Sequence, residues 1–286
     1  MISDITLGQF FPGASLLHKL DPRTKILLAI MYIVALFMAN NPAAFGFMLI
    51  LTVLLIAISK ISFKVIIRGV RPIIFVLIFT SIINILMTDG KGEPLVDFWI
   101  IEIFKEGIIK AVFMSIRVVM LIIGTSMFLT YTTSPISLTD GIESLLWPLK
   151  KIKIPVHLFA MMMTIALRFI PTLVEETEKI MNAQKSRGAD FSSGGLIKRA
   201  KALIPILVPL FVSSFKRAED LAQAMECRCY RGDKNRTKYV ELRYRLRDFA
   251  WLGLSALLLA VVILSRILPY EFAIANEIYR IVFYVI

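Results

Sequence analysis

Apolar runs of bilayer length, separated by short charged stretches, constrain this chain more than any other feature of its sequence. A helix needs about 20 mostly apolar residues to cross hydrocarbon, and in lipid only helices and closed barrels satisfy their own backbone. Five runs fit a helical reading: Lys25–Ala39, closed by Asn40-Asn41-Pro42; Ala43–Ser59; Pro72–Thr88; Ile108–Tyr131; and Phe249–Leu268, closed by Pro269. Pro72 sits in the first turn of its run, where a missing N–H costs nothing. The first two runs are short and read as tilted or incomplete spans. At 57% hydrophobic, the chain exceeds the roughly 45–50% of soluble domains. The expected fold is an all-α polytopic membrane protein. No small-residue cleavage site follows the charged leader, so no cleavable signal peptide is expected.

Charge orients the spans. The leader carries His18, Lys19, Arg23 and Lys25, and the loop before the third span carries Lys60, Lys64, Arg68 and Arg71. The loop before the fourth span is acidic, with Asp89, Glu93, Asp97, Glu102 and Glu106 against Lys91 and Lys105. Residues 132–248 hold 20 of the 33 Lys and Arg. Basic stretches favour the cytosolic side, so five spans place the N-terminus inside and the C-terminus outside. Three regions follow: a membrane domain of four spans, 1–131; a basic helical segment on the cytosolic side, 132–248; and a final span with an external tail, 249–286.

Two apolar runs inside the basic segment mimic further spans. A hairpin of residues 156–174 and 203–215 would put Lys179, Lys185, Arg187, Lys198, Arg199 and Lys201 outside, against the charge bias. The second run is also short and contains Pro205 and Pro209. The segment reads instead as a short helix near Ser137–Leu149 and two long ones that cross. One runs Val156–Ser186 with a bend near Pro171, stopped by Gly188 in a left-handed conformation. The other runs Leu196–Cys227 with bends near Pro205 and Pro209, after a turn at 192–195. Both end alike. Glu178, Ile180, Ala183 and Arg187 recur at a constant offset as Glu219, Leu221, Ala224 and Arg228, 41 residues on. A cation at a helix C-terminus compensates the dipole, but two equivalent cationic ends also suit a partner with two equivalent pockets. Phe159, Met161, Met162 and Met163 form an apolar patch that reads as core or as an adaptable binding face.

Chemistry of its own is not evident. No phosphate-binding G-x-x-x-x-G-K-[ST] loop occurs, so the chain is not expected to be an enzyme or to hydrolyse ATP by that route. Cys227 and Cys229 supply two thiols where a structural zinc needs four ligands, and they read as free thiols. His18 and His157 have no triad-like neighbours in sequence, and Glu175, Glu176 and Glu178 read as a solvated face. Arg117, near the middle of the fourth span, needs a partner: a backbone carbonyl or another subunit. Lys110 and Asn84 lie nearer the ends of their spans.

These residues resemble the transmembrane T components of energy-coupling factor (ECF) transporters, prokaryotic importers of vitamins and metal ions. Leu20-Asp21-Pro22-Arg23-Thr24-Lys25 is similar to the family's N-terminal motif; Ser186-Arg187-Gly188 and Ala224-Met225-Glu226-Cys227-Arg228-Cys229-Tyr230 resemble its two Ala-Arg-Gly-type motifs. Cys227 and Cys229 depart from the usual Ala and Gly, which implies altered packing around a retained Arg228. The resemblance implies a coupling subunit in a prokaryotic cell membrane, docked on two ABC-type ATPase subunits and a membrane-embedded substrate-binding S component. Ser186, Arg187, Gly188, Cys227, Arg228 and Cys229 would engage the ATPases. Ala183, Gln184, Ala224, Met225, Glu226, Asp21, Pro22 and Arg23 would support them, and Phe159 with Met161–Met163 would face the S component. ATP and Mg²⁺ would belong to the ATPases, this chain binding no cofactor; the lipid bilayer is a further partner and nucleic acid is not. Two other readings remain open: a conventional permease lining its own solute path, and a scaffold whose basic segment binds anionic lipid.

Overall fold

The computed structural model describes residues 10–39, 41–88, 96–98, 101–189, 191, 195–232 and 242–267. Helix α1, Pro22–Met38, starts for local reasons: Asp21 Oδ1 accepts the Arg23 N–H at 2.9 Å, and Pro22 occupies the first helical position. Helix α2 spans Pro42–Ser59 and ends at Lys60 in the left-handed region, φ 56°. Helix α3, Phe63–Val70, passes through a tight turn at Arg71–Ile73 into α4, Ile74–Met87. The third apolar helix therefore begins at Phe63 rather than at the expected Pro72: a single 3₁₀ turn absorbs the proline without ending the helix. Strands β1, Val96–Phe98, and β2, Ile101–Ile103, pair antiparallel in the loop that follows, where apolar and acidic residues alternate. Helix α5, Lys105–Thr125, continues as a wider π turn through Thr130. Helix α6 covers Pro135–Leu145, followed by a 3₁₀ turn at Trp147–Ile152, so the expected helix near Ser137–Leu149 is two shorter elements. Helices α7, Val156–Ser186, and α8, Leu196–Cys227, have the expected limits and remain helical through Pro171, Pro205 and Pro209. Of the expected turn before α8, residues 192–194 lie outside the described residues. Helix α9 spans Leu246–Ile267.

Five described helical stretches are long and apolar enough to cross a bilayer: Pro42–Ser59, Phe63–Met87, Lys105–Thr130, Val156–Ser186 and Leu246–Ser265. Four match expected spans. The remaining expected span, α1, has only 17 residues. In its place stands α7, whose first half carries the apolar run that charge argued out of the membrane. The fold is thus all-helical apart from one short hairpin, with five helices of membrane-crossing character and additional helices around them.

Chain contacts divide the described residues into two units, one within 142–241 and the other made of 10–141 and 242–267. Residues 132–141 and 242–248, expected in the basic segment, belong with the membrane helices. In that larger unit the core joins α1, α2, α5 and α9 through Leu28, Leu36, Met48, Leu55, Met120 and Val262. Tyr32 lies at its centre. Its hydroxyl pairs with Thr52 Oγ1 at 2.7 Å and donates to the Met120 carbonyl at 3.0 Å. Gly124 faces the ring so closely that a Cβ there would lie 2.2 Å from Tyr32 Cε1. Helices α4 and α5 pack along a small-residue stripe of Gly107, Ala111 and Ser115, with Ser115 Oγ 2.7 Å from Ser81 Oγ. Arg117 donates to the Ala39 carbonyl at 3.1 Å, where α1 ends, and its guanidinium lies 5.9 Å from the Phe45 ring centroid. A carbonyl at a helix C-terminus and an aromatic face both favour a cation.

Candidate functional site

The two arginines occupy the same position in the same motif. Arg187 is the cap residue of α7, with φ −86° and ψ 7°; Arg228 caps α8, with φ −89° and ψ 12°. After Arg187, the Gly188 N–H donates to the Lys185 carbonyl at 2.9 Å and the Ala189 N–H to the Gln184 carbonyl at 3.0 Å. After Arg228, the Cys229 N–H donates to the Glu226 carbonyl at 2.8 Å and the Tyr230 N–H to the Met225 carbonyl at 3.0 Å. This paired pattern is the Schellman motif, which closes the last carbonyls of a helix and needs a left-handed residue just after the cap. Gly188 fills that position at φ 85° and Cys229 at φ 57°. Glycine does so freely; an L-residue costs about 1–2 kcal/mol. The bonds are made nonetheless, so the backbone at both tips is the same although the residues differ.

Because each motif satisfies its own backbone, the side chains remain for other use. Arg187, Arg228, Ser186, Gly188, Cys227, Cys229, Ala183, Ala224 and Glu226 are exposed, whereas Gln184 and Met225 are half-buried. Among the described residues neither guanidinium has a side-chain partner. Both cysteines are exposed free thiols flanking Arg228.

The helices behind the tips meet at equivalent points. Glu176 on α7 accepts from Arg217 Nη2 at 2.6 Å and from Ser213 Oγ at 2.5 Å, both on α8. Glu176 and Arg217 are 41 residues apart, the spacing of the two arginine tips. Each lies three turns before its own tip, an arm of about 16 Å. Equal arms joined at the same register point are what a local two-fold relation through the crossing produces. Glu176 is therefore a cross-helix partner rather than part of a solvated acidic face; the same 41-residue alignment would have exposed the pair in sequence.

Other expected site residues lie elsewhere. On α7, Phe159, Met162 and Met163 are exposed and Met161 is half-buried. On α8, Ile204, Leu207, Val208, Phe211 and Phe215 add an exposed apolar face at helical spacing. Asp21, Pro22 and Arg23 belong to the larger unit, where Asp21 bonds to the first turn of α9 and Arg23 to the residues just before it. The Asp21 N–H donates to Asp248 Oδ1 at 2.9 Å, and Arg23 Nη2 donates to the Leu242 carbonyl at 3.2 Å. Asp248 and Leu242 are distant in sequence, and the one visible hint was a lone carboxylate just after Arg243, Arg245 and Arg247, at the edge of an apolar run. Both histidines have structural partners: His18 bonds Ser15 and the Phe11 carbonyl, and His157 Nδ1 lies 3.0 Å from Glu143 Oε1.

The chain is similar to proteins of one named family along most of its length. The family model CbiQ, cobalt transport protein, matches residues 13–239. A protein of Clostridium kluyveri named energy-coupling factor transporter transmembrane protein EcfT is 54% identical over 267 residues, covering 93% of this chain and 98% of the relative. Proteins of the same name from Ruminiclostridium cellulolyticum and Bacillus subtilis are 51% identical over 266 residues and 43% identical over 268; these cover 93% and 94% of this chain, and 98% of each relative. With a family model matched over residues 13–239 and relatives aligned along nearly its full length, the chain belongs to the CbiQ/EcfT family of energy-coupling factor transporter transmembrane proteins.

Proposed function

We propose that this chain transmits work from two ABC-type ATPase subunits to a separate, membrane-embedded S component that binds a vitamin or other micronutrient. Arg187 and Arg228 each enter one ATPase, with Ser186, Gly188, Cys227 and Cys229 shaping the approach. A planar guanidinium at a bare helix end suits carboxylates or carbonyls in a groove. The supporting observation is the equivalence of the tips: same cap geometry, same hydrogen bonds, equal arms from one cross-helix pair. A two-fold pair of engines needs two such contacts, whereas a surface that only attracts anionic lipid needs no matched geometry. The basic stretches place the tips on the cytosolic side, with the N-terminus inside and the C-terminus outside. The exposed apolar residues of α7 and α8, including Phe159, Met162 and Met163 with half-buried Met161 beside them, face the S component and lipid. ATP and Mg²⁺ reside on the ATPases, and this chain carries out no hydrolysis.

The test is ATPase retention by the purified chain. Arg187→Ala and Arg228→Ala should each weaken it by at least about 30-fold, the lower end for truncating one member of a desolvated charge pair. The double variant should retain neither engine. A double variant that holds both ATPases as wild type does would end the docking proposal.

A further inference from the structure

The six-residue stretch Leu20–Lys25 has a task that helix initiation does not explain. Asp21 and Pro22 alone would start α1. Yet Lys25 and Asp248 are each only 2% exposed, and burying charge is costly unless every group is partnered. The partners share a location in the chain. The polypeptide leaves the larger unit after Gly141 and returns to it at Leu242.

On the leaving side, Lys25 Nζ donates to the Thr132 carbonyl at 2.7 Å. Gly141 packs on Pro22, where a Cβ would stand 3.0 Å from Pro22 Cβ. On the returning side, Arg23 bonds the Leu242 carbonyl, and its guanidinium lies 5.0 Å from the Tyr244 ring centroid. Asp248 accepts from the Asp21 N–H through Oδ1 and from the Arg245 N–H at 2.8 Å through Oδ2. One short motif thus holds Thr132 and Gly141 ahead of the 142–241 segment and Leu242, Tyr244 and Asp248 after it.

We propose that Asp21, Pro22, Arg23 and Lys25, with Asp248 and Tyr244, are positioning residues that anchor both ends of the 142–241 segment, so that displacement of that segment is delivered to α1 and α9. Rigid packed elements pass on displacement only where their ends cannot slip. The anchor rests on the coupling role proposed above.

Hydrogen–deuterium exchange on the complex purified from native membrane, with and without Mg-ATP and vanadate, tests both. In wild type, nucleotide changes exchange within 142–241 and also in α1 and α9. Arg23→Gln, Tyr244→Leu and Gly141→Ala leave the 142–241 response in place and cut the α1 and α9 response about fivefold or more, as loss of a coupling free energy does. Tyr244→Phe, which keeps a ring under the guanidinium, retains the full response. An α1 and α9 response equal to wild type in the first three variants overturns the anchor. So does its absence in wild type, or failure to recover any of the variant complexes, which would mark a folding role only. No nucleotide response within 142–241 of the wild-type complex would instead overturn the coupling role.

Discussion

Cationic residues stand at helix ends in two parts of this protein, and they are treated in opposite ways. At the start of α1, Arg23 and Lys25 bond to carbonyls of distant chain segments, and Lys25 is buried. At the ends of α7 and α8, Arg187 and Arg228 cap helices whose backbone is already satisfied, and both are exposed. The first arrangement spends its charges inside the fold, where removing a partner strands a buried group. The second holds charge in a fixed geometry at the surface. Under the proposed function, stability and partner recognition therefore fall on different residues.

This contrast can be broken most sharply at the tips. Arg187→Ala combined with Arg228→Ala should remove about 2–5 kcal/mol of partner binding at each site, yet leave thermal unfolding of the chain in detergent within about 0.5 kcal/mol of wild type, as for exposed positions generally. A lowered melting temperature would show that the tips also hold the fold. Asp248→Ala should do the reverse. It orphans the Asp21 and Arg245 N–H groups, a loss of about 1–3 kcal/mol for each donor left without its partner. Denaturant unfolding in micelles would register it, with ATPase affinity per folded molecule unchanged. Gly124→Ala should cost about 1–3 kcal/mol by forcing Tyr32 away from Thr52 and Met120, again without effect on ATPase binding. The smallest effect separates the two tips. Cys229→Gly should stabilise the end of α8 by about 1 kcal/mol, seen as slower exchange of the Tyr230 amide, while Gly188→Ala should loosen the end of α7 by a similar amount.

The long helices were legible in sequence because local rules write their limits. Val156 follows Pro155, Gly188 closes α7, and Gly195 precedes α8. The repeated Glu–apolar–Ala–Arg pattern located both tips, although the left-handed backbone at Cys229 follows from the motif's hydrogen bonds and not from the residue. Span limits were less legible where proline mattered. Pro72 reads as a helix start, but a helix interrupted by one tight turn absorbs it. Helix α7 shows a conflict between criteria, since its apolar content suits a bilayer while the charge that follows argues against one. The partners of Arg23 and Lys25 were not legible, because each is fixed by packing between segments far apart in the chain. Arg117 was intermediate: burial demanded a partner, and folding supplied the end of α1.

The chain has only two cysteines, and both are exposed beside Arg228, with none beside Arg187. Two ends that match in backbone are therefore chemically distinguishable. A maleimide dye marks one tip and ignores the other, so occupancy of each can be followed separately in an otherwise unaltered protein. Shielding of the dye site by one ATPase but not by its companion would then reveal whether the engines are assigned to fixed seats.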